Sequence, residues 1–153
     1  MADIYELFMA LDLREGIPDE EVAELRWHLG LGDQPEALRI VAAFPQVAGD
    51  DGEAVVDDLP EPLMAGRGRA WKIGGALVSL LEHAPDMAGT LTVRQEVHPD
   101  DFDIIGELLR WLAGQVDDRH RGADGAVHLG WTRFFEADRF EALVVRENVV
   151  LWP

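Results

Sequence analysis

The chain has 153 residues with 30 acids against 13 Lys and Arg, a net charge of −17, and no cysteine. That length suits one domain with a single core. The missing thiols exclude disulfides, thiolate nucleophiles and Cys-ligated zinc. An acidic surface repels phosphate backbones, so direct nucleic-acid binding is not expected, and no apolar run approaches the roughly 18 residues a membrane helix requires.

The N-terminus, MADIYELFMALDLREG, carries Asp3 and Glu6 where a secretory signal would carry bases, so it reads as mature sequence and the expected location is the cytoplasm. Tyr5, Leu7, Met9, Leu11 and Leu13 alternate, which predicts a strand. Pro18 and the acids Asp19, Glu20 and Glu21 then suit a helix start, because proline tolerates the first turn and carboxylates favour the positive end of the dipole. Val22, Leu25 and Leu29 give the helical period, and Gly30 stands where a left-handed residue would end it. A second strand is expected over 37–44 (ALRIVAAF), although an alanine-rich apolar run suits a helix equally.

Residues 46–69 read as an insertion, a loop holding Asp50, Asp51, Glu53, Asp57, Asp58 and Glu61 followed by GRGR. The acids come in adjacent pairs rather than at the alternate positions of a calcium loop, so they read as a solvated acidic surface able to meet a basic partner. GRGRAW lacks both the third glycine of a dinucleotide fingerprint and the Lys-Ser/Thr of a P-loop. A long strand is expected over 70–83, with Gly74 and Gly75 marking a bulge, and APDMAG (84–89) reads as a tight turn.

The next strand places Leu91, Val93, Gln95 and Val97 on one side and Thr92, Arg94, Glu96 and His98 on the other. That polar row is the one place where an acid, an imidazole and a cation share a face. Glu96 and His98 could transfer protons, with Arg94 and His128 lining a ligand cleft; the same row also fits the wet face of an antiparallel strand. Pro99, Asp100 and Asp101 open a second helix, on which Phe102, Ile105, Leu109, Leu112 and Val116 share a face widened by Ile104, Leu108 and Trp111. Two further strands are expected, at 126–135 and 140–152.

LRWHLG at 25–30 returns as LRWLAG at 109–114, and in the same register, 84 positions apart, the two upstream strands also align by type. The chain therefore reads as one α+β domain of two βαββ copies, about 4–83 (interrupted by the insertion) and 89–153, its mainly antiparallel strands in one sheet or in two sheets meeting at the pseudo-twofold, with the helices on one side. The repeated motif is read as packing: a core leucine, an edge tryptophan and a glycine stop.

The duplicated strand–helix–strand plan resembles in outline the metal-binding superfamily that includes glyoxalases and extradiol dioxygenases. Those units have another strand and take ligands from specific strand positions. Here the five histidines, His28, His83, His98, His120 and His128, form no HxH, HxxxH or HExxH pair, so neither a metal nor another cofactor is expected. Ser79, inside ALVSLL with no nucleophile elbow, reads as a buried strand serine.

Two functions follow as expectations. The first is a non-enzymatic binding protein of inhibitor, immunity or regulatory type, whose acidic surface engages a basic protein. The alternative is a small-molecule-binding protein or enzyme with a cleft around Arg94, Glu96 and His98.

Overall fold

A computed structural model of the protein describes residues 3–42, 47–48, 54–55, 60–84 and 86–153. Its strands are β1 (Tyr5–Asp12), β2 (Val47–Ala48), β3 (Ala54–Val55), β4 (Gly68–Arg69), β5 (Ala76–Ala84), β6 (Met87–Val97), β7 (Val127–Phe134), β8 (Glu141–Arg146) and β9 (Val149–Leu151). Its helices are α1 (Asp19–His28) and α2 (Phe102–Ala113), with short 3-10 turns at Pro99–Asp101 and Asp118–His120. The fold is α+β. Seven strands form one sheet in the order β4-β5-β6-β1-β7-β8-β9, every neighbouring pair antiparallel, and β2 pairs separately with β3.

Alternation assigns the faces of this sheet. Met9 lies opposite Val93 on β6 and Gly130 on β7, while Leu11 lies opposite Leu91. These odd-numbered residues join Leu129, Leu143 and Val145 in one core with Val22, Leu25 and Leu29 near α1 and Ile105, Leu108, Leu109 and Leu112 of α2. Both helices therefore bury their apolar sides against one face. Burying a side chain of this size contributes about 1.5–3 kcal/mol relative to leaving it exposed, so this shared core dominates the fold.

The repeated motif does pack. Leu25 and Leu109 are buried, Trp27 is buried, and the Trp111 indole donates to Glu21 Oε1 at 2.8 Å, tying α2 to α1. Its two glycines differ: Gly30 is left-handed at φ +73°, whereas Gly114 keeps a helical φ of −85° and ends α2 without a left-handed turn.

Three expected elements are corrected. Of the strand expected over 37–44, residues 43–44 lie outside the described residues and 37–42 are irregular, since the backbone amides of Arg39, Ile40 and Val41 bond to the Glu24 carboxylate instead of a neighbouring strand. The strand expected from 70 starts at Ala76, because Gly74 (φ +79°) and Gly75 (φ +67°) are left-handed turn residues rather than a bulge. The span 140–152 is a hairpin, turned at Glu147 (φ +50°) and Asn148 (φ +63°), the paired positive values of a two-residue connection that matches strand twist.

Candidate functional site

The polar row on β6 does lie opposite the helices, but its side chains are committed. Glu6 of β1, only 5% exposed, sits between two arginines: Arg94 Nε donates to its Oε2 at 2.7 Å, and Arg133 Nη2 lies 2.9 Å from its Oε1. Arg94 also donates to the carbonyls of Ile73, Gly74 and Ala76, and Arg133 to those of Phe135 and Ala137. The Glu96 carboxylate accepts the successive backbone amides of Trp71 (2.7 Å), Lys72 (2.6 Å) and Ile73 (3.2 Å). Three adjacent N–H groups form an anion-holding concavity, and the protein fills it with its own acid.

The consequence is structural. This lattice pins the 70–75 loop across one end of the open sheet face, where Ile73 joins Ile4, Ala70 and Phe135 in a second, smaller core. Arg94 and Glu96 are brought together with one another but not with His98, which follows the end of β6 and caps the 3-10 turn by accepting the Asp100 amide on Nδ1 at 3.0 Å. His128 stands further along the open face, edge-on to Trp131 with ring centroids 4.9 Å apart. The four residues of the expected cleft thus occupy three separate places.

Beyond the lattice the open face turns apolar. Phe8, Trp131 and Phe140 line a shallow depression of about 340 Å³. Of the acidic loop, Asp50, Asp51, Glu53, Asp57 and Asp58 lie outside the described residues, and Glu61 is exposed. Among the described residues, no group of three or more His, Asp or Glu could hold a metal ion, and no helix is long and apolar enough to cross a membrane. Ser79 is fully buried, donating to the Met64 carbonyl and accepting from Gln95 Nε2.

Sequence reasoning missed the most heavily bonded buried acid among the described residues. Glu24 on α1 is 0% exposed and accepts the amides of Arg39, Ile40 (2.8 Å) and Val41 (2.9 Å), together with His28 Nε2 at 3.1 Å. The only sequence signal was the i, i+4 spacing of Glu24 and His28, which ordinarily marks a surface pair. Burial pushes the His28 imidazole below its usual 6.5, although the bond to Glu24 and its charge pull the other way. Unfolded chains therefore take up this proton more readily, so the contribution is intact above pH 6.5 and stability is lost as pH falls below it. The Gln of His28→Gln keeps a donor near Glu24 without titrating. Its melting temperature should fall less than wild type between about pH 7.5 and about pH 5, and equal falls in thermal melts would remove His28 as the cause.

Comparison of the chain with family models, with curated proteins and with solved structures gives no match.

Proposed function

We propose that this protein is a non-enzymatic binding protein of inhibitor, immunity or regulatory type, working in the cytoplasm and engaging a basic protein through its acidic surface. One observation carries the reading. Glu15, Asp19, Glu20, Asp33, Glu36, Asp101 and Asp103 are exposed around the two helices, and none forms an ion pair with a described residue. Unneutralised acids of this kind speed encounter with a positive surface and disfavour nucleic acid. The small-molecule reading has less support, because Arg94 and Glu96 spend their polar atoms on internal partners.

The two-copy reading of the chain belongs with this proposal. It draws support from the pairing of β1 with β6, the strands that lead the two copies, at the middle of the sheet.

The experiment is a low-salt pull-down from the native host, with the protein eluting between about 0.1 and 0.5 M salt identified, purified and rebound. Its association rate should fall steeply over that range. Replacing residues 50–61 with a neutral linker of equal length should leave the domain folded and slow association further, as rim charges act on encounter more than on residence. An unchanged low-salt rate would remove the loop from the binding surface, and a salt-independent rate for the intact protein would overturn the proposal.

A further inference from the structure

An antiparallel sheet covered by helices on one side ordinarily turns polar residues to water on the other. This one does not. By register, Leu80, Thr92 and Ala10 form one row of the open face, and Val78, Arg94, Phe8, Trp131 and Ala142 a second. On β7, β8 and β9, His128, Val144 and Leu151 form a further row. Leu80 is 60% exposed, Phe140 50%, Leu151 43% and Trp131 41%. Leu80 and Val78 on β5, and Phe8, Trp131 and Phe140 on the far side of β6, are exposed or half-buried apolar groups on one face, the mark of a surface that is covered in use.

We infer that a second copy of this chain covers it, the two open faces stacking sheet on sheet to give an α-β-β-α dimer. Charge placement selects this occupant. Within the face two acids, Glu6 and Glu96, balance two bases, Arg94 and Arg133, and Glu82, opposite Thr90, is an exposed acid toward one end. The unpaired acids described above lie around the helices, on the opposite side of the sheet. Face-to-face stacking points both helix layers outward, so two chains of net charge −17 associate with those acids as far apart as the fold permits. A basic partner is drawn to the other side and leaves this face uncovered.

Size agrees. Five strands, β5, β6, β1, β7 and β8, spaced about 4.8 Å apart with about 20 Å of length, offer on the order of 500 Å² per copy, or roughly 1,000 Å² in all, the threshold of specific interfaces. β1 is the middle strand of seven. A two-fold axis along it carries β5 of one copy over β8 of the other, setting Leu80 beside the partner's depression between Phe8, Trp131 and Phe140.

The test is sedimentation velocity on the full chain from about 1 to about 200 µM, in about 0.1 and about 0.5 M salt. The mass should rise with concentration from 17.0 kDa to twice that value. Higher salt should strengthen the dimer by screening the outward acids, the opposite of the response expected of basic-partner binding, so either idea can fail without the other. Leu80→Glu and Trp131→Glu should each weaken the dimer at least about tenfold without changing the thermal melt, since both sites are exposed in the single chain. If a Glu variant unfolds, a spin label decides: the chain has no cysteine, so Ala10→Cys carries one label per copy, and sheets stacked about 10 Å apart should give an inter-label distance below about 25 Å.

A mass of one chain at every concentration overturns the inference. So does a dimer unaffected by folded Leu80→Glu and Trp131→Glu variants, a dimer that dissolves as salt rises, or a label separation beyond about 40 Å, which would place the contact on the helices or an edge.

Discussion

Glu24→Ala should lower stability by about 3–5 kcal/mol, the range for deleting one partner of a buried charged cluster. The carboxylate is 0% exposed and is the hub for the amides of Arg39, Ile40 and Val41 and for the ring of His28. Removing it strands those buried donors at once, and each unsatisfied group costs about 1–3 kcal/mol. Ile40 and Val41, which belong to the main core, are held through the same amides, so the loss reaches the packing against Leu25 and Leu29. For a domain of this size the drop corresponds to roughly 6–20 °C in melting temperature. Glu24→Gln, which keeps one acceptor oxygen, should lose less. Thermal melts of the two variants check the ordering, and a fall of under about 1 kcal/mol for the alanine variant would mean that water replaces the carboxylate.

The same residue explains what the sequence conceals. Strands β1 and β6 and helix α2 are legible because burial imposes period two or a three-four spacing on long stretches: Leu7, Met9 and Leu11; Leu91, Val93 and Val97; Ile105, Leu109 and Leu112. ALRIVAAF misleads because Ile40 and Val41 are buried as any strand residue would be, yet their amides are satisfied by a side chain of α1. Apolar burial reports that a segment is inside, not which group accepts its hydrogen bonds. Likewise the alternation of Thr92, Arg94 and Glu96 gives the face of the sheet they occupy. It carries no trace of the 70–75 backbone, some twenty residues distant in the chain, that folds over to consume Arg94 and Glu96. The apolar open face was within reach of the sequence, since Phe8 and Ala10 alternate with Leu7 and Met9, and Val78 and Leu80 flank Ser79. Recognising it requires the order of strands, which places Leu80 and Trp131 on one surface.

Gly130→Ala should cost about 3 kcal/mol or more, a large penalty for a single methyl group. The position lies on the core side of β7, opposite Met9 on β1 and Leu143 on β8, where the β7–β8 register shifts between His128 and Gly130. A Cβ built there overlaps the carbonyl oxygen of Phe8 and stands 3.0 Å from Met9 Cγ. Met9 could rotate aside, but the Phe8 carbonyl is main chain in the central strand, so relief requires β1 and β7 to separate. Irregular pairing of this kind is where a glycine permits close backbone approach. Gly114→Ala is the matched control: its φ is ordinary and the nearest atom to an added Cβ is 3.5 Å away, so its melting temperature should stay within about 2 °C of wild type. Gly130→Ala should fall by roughly 6–12 °C in the same melts. Because Phe8 and Trp131 flank the strained pair on the open face, a folded Gly130→Ala protein should also show weakened self-association, whereas Gly114→Ala should associate as wild type does. Equal melting temperatures for the two variants would mean that β1 and β7 yield at this point without cost.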